Sequence, residues 1–317
     1  MSDILLSHEV SINLFVESLV FLLLVVALFH TIIILKNYQK NSTTEYQYKL
    51  EKRSYLVVTI ISFALIVKII LLVFFTYTLN ELSNIIPGAM CAAGVIKANT
   101  YGEKVLILKI IIIMLTLLWI TLNQQDQISK NYPFFKQKMY FFVAIFILIT
   151  VELSLEILFL TNISTQTPVL CCSTIYKAVD DTRALPFNLS ILQLITLFYL
   201  LYLLLIIFAY LKKRVMLFTF CLFYIYITYY AVVYFFSTYV YELPTHKCPF
   251  CILQSDYYYI GYFIFTSLFI ATFYALSATI YKFANKNFNK AIIWYTLFVI
   301  ICSFPFIFYI LKNGVVL

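Results

Sequence analysis

Eight long apolar runs constrain this chain more than any other feature. They lie near 13–35, 55–78, 105–122, 139–161, 188–211, 215–240, 258–281 and 291–311. A bilayer core of roughly 30 Å takes about 20 consecutive apolar residues of helix, and only helices or closed barrels satisfy their own backbone inside lipid. Each run has the length for one crossing. Only 11% of residues are charged and 63% are hydrophobic, against about 25% charged in a soluble domain. The sequence predicts an all-α, polytopic membrane protein with eight transmembrane helices, whose partner is the lipid bilayer.

The formal charge of +8 is distributed by loop. Lys36, Lys40, Lys49, Lys52 and Arg53 fill the first connection, Lys130, Lys136 and Lys138 the third, Lys212, Lys213 and Arg214 the fifth, and Lys282, Lys286 and Lys290 the seventh. Short loops rich in Lys and Arg stay cytoplasmic. This places both termini on the opposite side, the periplasm if the membrane is a bacterial inner membrane. The basic residues are accounted for by orientation, so no nucleic-acid partner is expected. The chain has no P-loop and no Gly-rich nucleotide fingerprint, so no nucleotide is expected either. The first twelve residues carry Asp3, His8 and Glu9 and no basic segment, so the first run reads as a retained anchor.

Two four-helix halves are expected, 1–165 and 166–317. Cys91-Ala-Ala-Gly-Val-Ile-Lys-Ala98 aligns in position with Cys248-Pro-Phe-Cys-Ile-Leu-Gln-Ser255, and each follows a Glu-Leu pair, Glu81-Leu82 and Glu242-Leu243. Four helices between them preserve orientation, as in a parallel 4+4 duplication.

Five ionisable residues fall inside the apolar runs of the first half: Glu17, Lys68, Lys109, Glu152 and Glu156. Each costs about 2.5–3.5 kcal/mol at the bilayer centre unless paired. Glu152 and Glu156 are four apart and share one helix face. Lys68 is expected level with Glu152, and Glu17, Lys109 and Glu156 together nearer the outer surface. The set reads either as structural ion pairs or as a path for protons or ions.

Of seven cysteines, Cys221 and Cys302 fall within helices, while Cys91, Cys171, Cys172, Cys248 and Cys251 fall in loops on the predicted outer side. Sulfurs gathered there imply an oxidising compartment. Cys248-Pro-Phe-Cys251, with His246 two residues upstream, has the spacing of a pair that either cycles between dithiol and disulfide or binds a soft metal. His246 is placed to modulate a thiol or to join Cys248 and Cys251 as a ligand for copper or zinc.

The stretch Cys248-Pro-Phe-Cys-Ile-Leu-Gln254 resembles the loop-to-helix motif of the quinone-linked disulfide-forming membrane proteins, the DsbB and vitamin K epoxide reductase groups. The resemblance is confined to this loop. It implies that Cys248 and Cys251 pass electrons to a quinone. It also implies that Cys171 and Cys172 exchange with a periplasmic thioredoxin-like protein, with Cys91 a further relay thiol. Tyr226, Tyr229, Tyr230, Tyr234, Tyr239 and Tyr241 line the helix below the loop, and Tyr234 and Tyr239 would wall a quinone pocket. The function expected is therefore that of an integral-membrane thiol–disulfide oxidoreductase. A metal-handling or ion-coupled transport protein with a soft Cys/His site, or a membrane subunit of a respiratory or maturation complex, is the alternative.

Overall fold

The computed structural model describes residues 4–38, 44–129, 132–164, 168–169, 185 and 188–315. Among the described residues eight helices are long and apolar enough to cross a membrane, and the chain divides into two compact units, Met1–Val169 and Leu170–Leu317.

The first unit holds α1 (His8–Asn37), α2 (Glu45–Leu82), a short α3 (Ala92–Ile96), α4 (Gly102–Ile128) and α5 (Phe135–Thr161). α1 packs on α2 and α5, and α4 packs on α5 and α2. Its core runs through Leu24, Ile61, Ala64, Leu65, Ile112, Trp119, Phe142 and Ile145. The outward faces are equally apolar: Phe15, Leu22, Phe63, Ile70 and Ile147 are all exposed. Helices that are apolar all round belong in lipid.

All four long helices outrun the apolar segments that announce them, α2 and α4 by the most. α2 begins at Glu45, within the stretch expected to be loop. Thr44 caps it by accepting from the Gln47 amide at 3.3 Å, and Lys49 pairs with Glu45 one turn away. Good helix formers joined by such pairs extend a helix into the aqueous layer without lipid contact. α4 continues to Ile128 because Asp126 is drawn into the fold. Lys138 of α5 pairs with Asp126 at 2.7 Å and donates to Asn123 at 3.1 Å, while Asp126 accepts the Phe134 amide at 2.8 Å. The Trp119 indole donates to the Lys138 carbonyl at 2.7 Å. Tyr38 lies on the same side. Burial, followed by the nearby carboxylates Glu51 and Asp126, pushes its phenol above the ordinary tyrosine range.

The second unit holds α6 (Ile191–Tyr210), α7 (Arg214–Ala231), a π-helical turn (Val232–Phe236), α8 (Ser237–Tyr241), two 3₁₀ turns (Cys251–Leu253 and Ser255–Tyr257), α9 (Ile260–Ile280) and α10 (Asn287–Asn313). α6 pairs with α7, and α9 with α10. Aromatic rings fill the centre: Phe198 stacks on Tyr224 at 5.4 Å and meets Phe236 at 5.2 Å, and Tyr224 meets Tyr295 edge-on at 5.4 Å. Tyr224 and Tyr295 are fully buried, so tyrosine rings build this core together with phenylalanine. Cys221 lies 3.1 Å from the Tyr295 hydroxyl, and it and Cys302 are wholly buried packing residues.

Arg214 does more than orient the chain. Its guanidinium donates to the carbonyls of Ala278 and Tyr281 at 2.8 and 2.9 Å, to that of Lys282 at 3.3 Å and to Asn285 Oδ1 at 2.6 Å. It closes the C-terminal end of α9, where helix carbonyls lack partners. Replacing Arg214 with alanine should cost about 1.5–3 kcal/mol, read as a lower thermal midpoint in detergent. Lysine should restore only part of it, because it lacks the planar fork.

Candidate functional site

The five membrane charges of the first unit meet in one place. Glu17 lies on α1, Lys68 on α2, Lys109 on α4, and Glu152 and Glu156 on successive turns of α5. All are 4% exposed or less. Lys68 Nζ donates to Glu17 at 2.7 Å and to Glu152 at 2.6 Å. Lys109 Nζ donates to Glu17 and Glu156, each at 2.9 Å, and to Glu152. Glu17 and Glu152 thus each bridge both lysines, forming a closed ring of two carboxylates and two ammonium groups. Glu156 hangs from that ring by the third N–H of Lys109. The two depth layers expected from the sequence are one cluster, because Lys109 spans from Glu156 to Glu152.

Sequence reading missed a sixth member, Asn13. Its Nδ2 donates to Glu156 Oε1 at 2.6 Å, while its Oδ1 is buried without a hydrogen-bond partner. Asn13 precedes Glu17 by four residues, which puts both on one face of α1, and that spacing is the signal in the sequence. The Lys109 ammonium also sits 4.7 Å from the centre of the Phe75 ring, a favourable cation–π contact in a desolvated place. A small cavity beside the ring is lined by Glu17, Lys68, Leu72, Lys109, Ile112 and Ile113. Glu17, Glu152 and Glu156 each offer a carboxylate oxygen within 4.8 Å of the others. The two ammonium groups occupy the space between them.

The cysteine turn lies in the second unit. α8 ends at Glu242, a left-handed residue at φ 53°, and the chain loops back over Tyr241. The Tyr241 hydroxyl donates to the Cys248 carbonyl and accepts the Ile252 amide at 3.0 Å. Its ring meets those of His246 and Tyr257 edge-on at 4.3 and 4.6 Å. Tyr241 therefore ties both ends of Cys-Pro-Phe-Cys to the helix, a role its place in a run of tyrosines did not reveal. The Cys248 and Cys251 sulfurs lie within 4.8 Å of one another, and both residues are buried, Cys251 the less so at 8% against 1%. Burial, followed by Cys251, Asp256 and Cys248, pushes the Tyr257 phenol up.

α9 starts close beneath this turn. A Cβ on Gly261 would come within 2.7 Å of Ile252 Cγ1 and 2.9 Å of its carbonyl, so glycine lets the helix approach the 3₁₀ turn that carries Cys251. Tyr258 and Tyr259, at φ 53° and 55°, make the left-handed reversal between them, an uncommon conformation for bulky residues. Tyr241→Phe should leave a backbone carbonyl and amide unsatisfied, costing about 1–3 kcal/mol. Hydrogen exchange of the Ile252 amide should accelerate.

Of the other expected site residues, Cys91 is buried in the first unit as the residue before α3. Cys171 and Cys172 lie outside the described residues. Tyr239 is packed against Phe235, Phe306 and Tyr309 with centroids 4.9, 4.9 and 5.6 Å away. The Tyr234 ring stacks on Tyr230 at 6.2 Å and lies 5.4 Å from the Lys247 ammonium.

Eight apolar helices, with charges paired inside the first unit, define a polytopic helical membrane protein. No protein-family model, curated protein or solved structure matches the chain.

Proposed function

We propose that this is an integral-membrane thiol–disulfide oxidoreductase, working at the non-cytoplasmic face of a bacterial inner membrane through Cys248 and Cys251. The observation that carries the reading is the approach of the two sulfurs to within 4.8 Å in a turn that Tyr241 fixes from below. A modest adjustment brings them to the roughly 2.05 Å of a disulfide.

The reaction is exchange with a soluble thioredoxin-like partner. The Cys251 thiolate, on the more exposed residue, attacks one sulfur of the partner's disulfide. The partner's other sulfur leaves as a thiolate and takes a proton. Cys248 then attacks Cys251 within the mixed disulfide, releasing the second partner thiol. One disulfide is made for each one reduced, and two electrons and two protons pass from this protein to the partner; the reverse direction uses the same steps. Tyr234 and Tyr239 fit a quinone poorly, since neighbouring rings already pack against both and the Lys247 ammonium lies over Tyr234.

The test is reaction of the purified protein with a disulfide-bonded thioredoxin-fold protein, resolved on non-reducing gels. Cys248→Ser should accumulate a mixed disulfide through Cys251. The contrary result is a stoichiometric copper or zinc content in the purified protein, lost in Cys248→Ser, with no mixed disulfide in that variant. That would make the turn a soft-metal site.

A further inference from the structure

We propose that the charge cluster of the first unit is a proton-binding site, with Glu156 as the group that takes and releases the proton and Asn13 as its positioning partner. This does not depend on the thiol chemistry of the second unit.

The charges of the cluster do not cancel. Glu17 and Glu152 exactly offset Lys68 and Lys109 in the closed ring, and each of their four carboxylate oxygens accepts one ammonium N–H. Glu156 is the third carboxylate, and among the described residues no third cation faces it. The groups around it are Asn13 and Glu17 from α1, Lys68 and Phe75 from α2, Lys109 from α4 and Glu152 from its own helix. One negative charge is therefore in excess where exposure is zero. An uncompensated charge at that depth is expensive, and neutralisation is the usual response. A proton is the smallest cation that supplies it.

The second observation is Asn13. With Nδ2 turned to Glu156, the Oδ1 atom is buried with nothing donating to it. Amide orientation follows from the partner that is present. With a proton on Glu156 Oε1, half a turn of the amide lets Oδ1 accept the carboxylic acid O–H over the same 2.6 Å contact. The one side chain thus serves the carboxylate as a donor and the acid as an acceptor, which an apolar residue could not do.

The third is access. Lys109 uses all three N–H groups on carboxylates, whereas Lys68 uses two. The cavity lies along Glu17, Lys68 and Lys109, on the scale of a single water. Glu17 and Lys109 both line it, and Lys109 contacts Glu156 directly.

The experiment is infrared difference spectroscopy of the full-length protein in lipid nanodiscs across a pH titration, reading the carbonyl stretch of a protonated carboxylic acid and its shift in heavy water. Wild type should show one such band near neutral pH that disappears on raising the pH. Glu156→Gln should fold at least as well as wild type, since the amide keeps the contacts and removes the excess charge, and should lack the band. Asn13→Leu should keep the band and shift its frequency, because the acid loses its acceptor, a change that a purely structural role would not produce. The proposal is overturned if wild type shows no acid band, if the band survives Glu156→Gln, if Glu156→Gln fails to fold, or if Asn13→Leu leaves the frequency unmoved. Stabilisation by sodium ions in the absence of any acid band would assign the site to a metal cation instead.

Discussion

Replacing Lys109 with methionine should all but abolish recovery of folded protein. Methionine nearly matches the length of the lysine stem, so packing is conserved and charge is what changes. Lys109 donates to Glu17, Glu152 and Glu156 at once. Its loss leaves three carboxylates around one remaining ammonium group, with every member 4% exposed or less. Removing one partner of a buried ion pair costs about 3–5 kcal/mol, a large part of the 5–15 kcal/mol by which domains are stable. The expected readout is aggregation on size-exclusion chromatography in detergent where wild type runs as a single peak. Adding Glu156→Gln to the same chain should recover part of the folded fraction, because it removes one of the carboxyl groups left to share a single ammonium group. A monodisperse Lys109→Met protein with a wild-type thermal midpoint would show that the cluster does not hold the helices together.

The second large effect belongs to the cysteine turn. Cys251→Ser should reduce disulfide exchange with a thioredoxin-fold partner to the uncatalysed level. Cys248→Ser should fail at the next step and hold the partner covalently. The asymmetry follows from exposure, 8% for Cys251 against 1% for Cys248, because attack requires a thiolate with access. Both variants should fold, since serine is a close match in size and Tyr241 binds the Cys248 backbone carbonyl rather than its sulfur. Equal covalent trapping of the partner by the two variants would remove the assigned order of attack, and full activity in both would remove the chemistry.

The sequence makes the membrane character plain, because hydropathy over some 20 residues is a one-dimensional signal with a single physical reading. It locates all eight crossings, with their ends set too close together in several, α2 and α4 most of all. α2 starts at Glu45 and α4 ends at Ile128, where polar residues that resemble loop are held in helix by the Lys49 and Lys138 pairs. Such pairs depend on side chains one turn away or on another helix, and a hydropathy window averages over them. The five membrane charges are legible for the same reason, since each stands out against an apolar run. Their convergence on a single ring is not, because depth counted from helix ends says nothing about rotation of one helix against another. Asn13 illustrates the limit: an uncharged amide in an apolar run looks tolerable alone, and only its 2.6 Å contact with Glu156 shows what it does. Tyr241 stands at the end of a long run of tyrosines, and its hydroxyl becomes distinctive only once the chain folds back to bring Cys248 and Ile252 over it.

The most direct test of the thiol assignment is the state of the Cys248–Cys251 pair in living cells. Cultures are quenched with acid, thiols are alkylated under denaturing conditions, and the peptide spanning both residues is read by mass spectrometry before and after reduction. The account predicts a mixture of oxidised and reduced peptide that moves toward the reduced form when a permeant dithiol is added and returns when it is washed out. A peptide alkylated at both cysteines under every condition would contradict it.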